Sequence, residues 1–148
     1  MTSGRLAAMI PICSRKANSS VKAWSARVFA AETETAAPLA PSLAAEMPVA
    51  PSYAASFVDG IGSKGLLPEM WPMVRELLAG SIAVPLAAIA AAIRGLVERN
   101  RVVAEGAGAA SVAAALTGRT GPGKVVCVVS GGNIDPEKLA TILTGGIP

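Results

Sequence analysis

Histidine is absent from the 148 residues, and cysteine occurs only twice, at Cys13 and Cys127. Without an imidazole there is no Ser-His-Asp or Cys-His catalysis, and the commonest metal ligand is gone. Two thiols are too few for a structural zinc site, and Cys127 stands inside an apolar run, where a thiol acts as a small hydrophobe. Aromatic residues make up 3% of the chain, which argues against nucleic-acid binding by base stacking. No uninterrupted apolar run is long enough for a membrane span: the uncharged stretch Leu77 to Ile93 is broken by Gly80, Ser81 and Pro85. The short apolar run ending at Cys13 lacks a signal-peptide core and cleavage site. The expectation is a reducing, cytoplasmic setting with neither nucleic acid nor membrane as partner.

What the chain does have is 52% hydrophobic residues, enough for one domain with a core built on alanine, glycine and branched aliphatics. Charge is unevenly placed. Five of the 13 basic residues (Arg5, Arg15, Lys16, Lys22, Arg27) precede the first acid, Glu32, leaving eight against ten acidic ones afterwards. Residues 1–26 read as a basic N-terminal segment of solvated charge, and 27–148 as the folded portion.

The most informative stretch is Lys124 to Asp135, Lys-Val-Val-Cys-Val-Val-Ser-Gly-Gly-Asn-Ile-Asp. Its five consecutive apolar residues predict a strand buried on both faces, as in the centre of a parallel sheet. Ser130 falls at the strand's end, two glycines allow a sharp turn, and Asp135-Pro136 supplies an N-cap and first-turn proline for a helix to about Leu143. A hydroxyl and exposed amides beyond the carboxyl end of such a strand are placed for a ligand, although an ordinary strand-to-helix turn reads the same way. Upstream, Arg27–Ala31 predicts a short strand with Glu32 at its end, followed by a helix starting near Pro38. The offsets of Met70, Met73, Val74, Leu77 and Leu78 predict an amphipathic helix ended by Gly80, with a brief strand at Ile82–Val84. A second helix opens at Pro85, shows Leu86, Ile89, Ile93, Leu96 and Val97 on one face, and closes at Asn100. Arg101–Ala104 predicts another short strand, leading through Glu105 into a small-residue helix that reaches Leu116.

Together, Ser56-Phe-Val-Asp-Gly-Ile-Gly62, Leu67-Pro-Glu-Met-Trp71, Val103-Ala-Glu-Gly-Ala-Gly-Ala-Ala-Ser111 and Ser130-Gly-Gly-Asn-Ile-Asp135 resemble, in order, the last part of the catalytic domain of threonine/serine dehydratases. These are pyridoxal-phosphate (PLP) enzymes of the tryptophan-synthase-β-like fold, fold type II. The resemblance runs from about Arg27 to the C-terminus and implies a three-layer α/β/α fold truncated at its N-terminus. It also implies PLP as cofactor and a hydroxy amino acid as substrate, converted by β-elimination to a 2-oxo acid and ammonia. By resemblance the cofactor-binding residues are Ser130, which faces the pyridine nitrogen, Gly131 directly after it, Gly60 beside the cofactor and Glu105 at the border of its ring. In some relatives a glutamate, a backbone carbonyl and a second carboxylate hold a divalent cation; Glu32 and the carbonyl of Ala36 match the first two, while Pro38 stands in place of the third. The alternative for Glu32 is a solvated charge at a strand end.

The same resemblance implies a run of four glycines for the cofactor phosphate and a lysine in Ser-Phe-Lys-x-Arg-Gly for the Schiff base. The nearest match to the first is Ser3-Gly4-Arg5-Leu6-Ala7, and none of Lys16, Lys22, Lys64, Lys124 or Lys138 has the second context. The expectation is therefore a C-terminal part of such a lyase, inactive alone, with a missing N-terminal half or a second copy as partner. The alternative is a non-catalytic α/β module that binds a partner half or a small ligand. A dinucleotide site is disfavoured, because Glu105-Gly-Ala-Gly-Ala-Ala110 lacks the third glycine.

Overall fold

The computed structural model describes residues 26–148. Cys13 and the Ser3–Ala7 match lie outside them. In chain order the elements are strand β1 (Val28–Thr33), helix α1 (Leu39–Ala45), helix α2 (Trp71–Leu77), strand β2 (Leu78–Val84) and helices α3 (Leu86–Gly95), α4 (Gly106–Leu116) and α5 (Pro136–Leu143). A single 3-10 turn at Pro68–Met70 leads into α2, and a π-turn at Leu96–Asn100 prolongs α3.

β1 and β2 form a two-stranded parallel sheet in which Phe29 faces Gly80 and Thr33 faces Val84, with an irregularity between Val28 and Phe29. Alternation along β2 sends Ile82 and Val84 to one side, where they join Ile89, Ile93, Ala109, Ala110 and Ala113 in the core. Helices α3 and α4 pack on each other there, and α5 packs on α3. Ser81, on the opposite side of β2, donates to the Glu32 carboxylate that holds the start of α1. Helices thus cover both faces of the sheet, the layered α/β arrangement. The core is thin in ring systems because alanines on α4 let its backbone come close to its neighbours; Ala109, Ala110 and Ala113 are at most 2% exposed.

Four expectations change. The helix read as far as Leu78 ends at Leu77, and Gly80 is a paired residue inside β2 rather than a helix stop. Pairing with β1 overrides helical periodicity at that point, and a Cβ on Gly80 would lie 3.4 Å from the Phe29 ring. Secondly, Lys124–Ser130 is extended but joins no ladder: Val125 is 47% exposed and Val126 87%. The expected burial on both faces requires strands alongside, and none lies there among the described residues. Thirdly, Arg101–Ala104 is also unpaired, with Val102 and Val103 exposed and Arg101 in the left-handed region at φ 59°. That conformation caps the π-turn, Arg101 N–H donating to the Leu96 and Val97 carbonyls. Lastly, the strand read at Arg27–Ala31 runs over Val28–Thr33, because pairing with β2 continues to Val84, and Glu32 lies inside β1 and not beyond its end. The boundaries of α4 and α5 agree with the sequence reading, including the cap of α5, where Asp135 Oδ1 accepts from Glu137 N at 2.8 Å.

Candidate cofactor site

Gly60, Glu105 and Gly131, separated by up to 71 positions in the chain, meet at the N-terminus of α4. Glu105 is the N-cap residue of α4 with extended backbone, and its N–H donates to the Gly131 carbonyl at 3.0 Å. The Glu105 carboxylate lies against Gly131 so closely that a Cβ there would overlap it, and one on Gly60 would lie 3.5 Å from Oε1. Two further glycines permit the approach. A Cβ on Gly108 would fall 2.6 Å from the Gly131 carbonyl oxygen, and one on Gly106 would fall 2.9 Å from Val58 Cγ2. The small-residue composition of α4 is thus what lets two loops press onto its first turns.

Ser130 precedes this junction, exposed, and its hydroxyl makes no hydrogen bond among the described residues. The run leading to it is held from α4, where Ser111 Oγ donates to the Val128 carbonyl at 2.8 Å. Burial pushes the Cys127 thiol up from its ordinary value, so this cysteine is a poor nucleophile near neutrality.

Beside the junction opens a cleft of about 350 Å³ lined by Phe57, Asp59, Glu105, Asn133, Asp135 and Lys138, among others. Lys138 Nζ stands 3.8 Å from Asp59 Oδ2 at its rim, and both are solvent-accessible, so the pair contributes little to stability. The sequence presents Lys138 only as a lysine without the Schiff-base context; its place in the first turn of α5 is what brings it to the cleft. A separate depression at Trp71, Pro72, Arg75 and Glu76 contains none of the candidate residues.

Glu32 lies apart from this group. It is 6% exposed, which overturns the solvated alternative. Its Oε1 accepts from Leu39 N at 2.7 Å, and its Oε2 from Ala40 N at 2.9 Å and Ser81 Oγ at 2.6 Å. Both oxygens are thereby committed to the start of α1, where a buried carboxylate offsets the orphan amides of the first turn. Ala36 is buried nearby, its N–H bonded to the Thr33 carbonyl. No group of three or more metal-ligating side chains exists among the described residues. Millimolar Mg²⁺ or Ca²⁺ is expected to leave the melting temperature unchanged; a rise abolished by Glu32→Gln would show a working cation site.

Solved structures share this architecture. A threonine deaminase from T.th. superposes with a TM-score of 0.69 at 31% identity over 74% of this chain and 37% of its own. Maize serine racemase gives 0.68 at 31% identity over 80% and 39%. Fold and site therefore define an α/β portion of the fold type II PLP enzymes. The sequence signature described as "Pyridoxal-phosphate dependent enzyme" matches residues 3–131, and the chain belongs to that family. Its relatives include the L-threonine ammonia-lyase of Geobacter sulfurreducens, 38% identical over 94 residues. That match covers 62% of this chain and 23% of the relative, so the chain spans about a quarter of that protein's length.

The described residues fit one side of pyridoxal phosphate. Ser130 is exposed and offers a hydroxyl with no partner among the described residues, whereas the space left by the missing Cβ atoms of Gly131 and Gly60 is taken by the Glu105 carboxylate and Ala107 and not by a ligand. The described residues do not fit the cofactor's phosphate: Asp59, Glu105 and Asp135 surround the cleft against the single amine of Lys138, a balance that repels an anion.

Proposed function

We propose that this chain supplies the ring-facing wall of a PLP-dependent ammonia-lyase that acts on threonine or serine, with the rest of the site coming from a partner polypeptide. The single observation that carries this reading is the convergence of Glu105, Gly60 and Gly131 beside Ser130, whose hydroxyl has no partner among the described residues. The names of the relatives, L-threonine ammonia-lyase and threonine deaminase, support the substrate class.

PLP, when bound, supplies an electron sink for a carbanion α to the amino group. The chain's own contribution is positional and electrostatic. The Ser130 hydroxyl is neutral, so it donates a hydrogen bond to the ring nitrogen without forcing a proton onto it, unlike a carboxylate. This mild setting suits loss of a β-hydroxyl. Glu105 is fixed by its own N–H to Gly131 and keeps the Ser130 turn against α4. The lysine that carries the cofactor and the phosphate cradle belong to the partner in this reading.

The test is to co-express the chain with the part of the Geobacter sulfurreducens enzyme outside the matched 94 residues and assay 2-oxobutanoate from threonine and pyruvate from serine. Activity is expected from the complex and from neither part alone, and Ser130→Ala should lower it on the order of 10²-fold with the complex intact, the usual effect of removing one hydrogen-bond donor from a reacting system. Formation of D-serine without 2-oxo acid would assign the chain to racemase chemistry, as in the maize structure. A complex with no turnover of either kind would leave the non-catalytic binding module as the better reading.

A further inference from the structure

The extended run Lys124–Ser130 has a pattern that its surroundings do not use. Val125, Val126 and Val129 are 47%, 87% and 37% exposed, and no backbone N–H from Lys124 to Ser130 donates a hydrogen bond among the described residues. Unpaired amides on an apolar extended segment are a template for another strand. The segment has little left to lose on pairing, because it is already held extended by Ser111 Oγ on the Val128 carbonyl, Cys127 Sγ on the Ser111 carbonyl at 3.6 Å, and Glu105 N on the Gly131 carbonyl.

We propose that Lys124–Ser130 is the docking edge of this chain and receives a parallel, apolar β-strand from a second α/β polypeptide that carries the remainder of the fold. The inference rests on the proposed function for the partner's identity and adds where that partner binds. Orientation follows from the chain itself. β1 leads into α1 and β2 into α3, and the two strands are parallel; Lys124–Ser130 leads into α5 in the same manner. Apolar side chains on both of its faces match a central strand, and no charge occurs from Val125 to Ile134, so the incoming strand is apolar too. Size points to the same occupant. The solved relatives use only 37% and 39% of their chains to match this one, so most of the body that surrounds the matched portion in those structures lies outside it. A second copy of this chain would pair the same edge about a two-fold axis, which makes it antiparallel, against the order of β1 and β2.

Hydrogen exchange tests this without reference to catalysis. The 148-residue chain is measured alone and as its complex with the unmatched part of the Geobacter sulfurreducens enzyme. Alone, the amides of Val125–Val129 are expected to exchange within about tenfold of unstructured rates, and to slow by at least about 100-fold in the complex. Val126→Asp should reduce recovery of the complex roughly tenfold or more while leaving the far-UV circular dichroism of the isolated chain unchanged. Protection in the isolated monomer would mean that residues 1–25 cover the edge, and protection that grows with concentration would mean a second copy; either overturns the proposal. So does failure to form a complex, or a complex in which these amides stay fast. A complex that protects them without releasing 2-oxo acid or racemising serine counts against the proposed function alone, and an active complex without protection counts against the docking edge alone.

Discussion

Replacing Gly108 with alanine is expected to destabilise the chain, while the same change at Gly95 stabilises it. Both glycines lie in helices, and alanine is favoured over glycine there by about 1 kcal/mol. At Gly95 a new Cβ has no atom within 4 Å, so that gain is kept. At Gly108 the Cβ would fall 2.6 Å from the carbonyl oxygen and 3.1 Å from the nitrogen of Gly131. Those atoms are backbone, so relief requires moving the whole Ser130–Gly132 turn away from α4. Overpacking of this kind costs roughly 3 kcal/mol, which leaves a net loss of about 2 kcal/mol and a drop in melting temperature of roughly 4–8 °C for a domain of this size. The shift also strains the bond from Glu105 N to the Gly131 carbonyl, so the partnered protein should lose more activity than its stability loss explains. Thermal scans of the two variants decide the point. Equal shifts of the same sign would mean that α4 does not press on the Gly131 turn.

The second large effect is expected at Glu32. Its carboxylate accepts three hydrogen bonds while 6% exposed. Glu32→Ala strands the Leu39 and Ala40 amides and the Ser81 hydroxyl, and with charge-assisted bonds contributing about 1.5–3 kcal/mol each before partial compensation by water, a loss of about 3 kcal/mol is expected. That corresponds to a melting-temperature drop of roughly 6–12 °C. Glu32→Gln keeps one acceptor oxygen and should lose less. If the alanine variant melts within about 1 °C of the parent, the carboxylate does not hold α1.

The sequence disclosed the helices better than the sheet, for a physical reason. Helices α3, α4 and α5 close their hydrogen bonds within themselves, so Pro85, Glu105 and Asp135-Pro136 were enough to place their starts. A strand takes its hydrogen bonds from a neighbour. The valine run at Lys124–Ser130 therefore read as a buried central strand from composition, while its neighbours were not legible in it. The switch from helix to strand between Leu77 and Leu78 was likewise hidden, since pairing of Phe29 with Gly80 is a contact over some fifty residues. Around the site, Gly60, Glu105 and Gly131 were legible through their motifs, although spacing alone did not reveal that they meet. Lys138 was not legible, being one lysine on a helix surface. Glu32 shows the limit of pattern matching, because a glutamate at a strand end suits a cation as well as a helix start, and only the positions of the Leu39 and Ala40 amides decide between them.

The proposed function puts this chain on the ring side of a PLP site whose cofactor-bearing lysine lies elsewhere. Its most direct test is borohydride reduction of the PLP-loaded complex, followed by intact-mass measurement of each polypeptide. The cofactor is expected to be fixed on the partner, with the mass of the 148-residue chain unchanged. Cofactor fixed on this chain, at Lys64 or any other of its lysines, would contradict it.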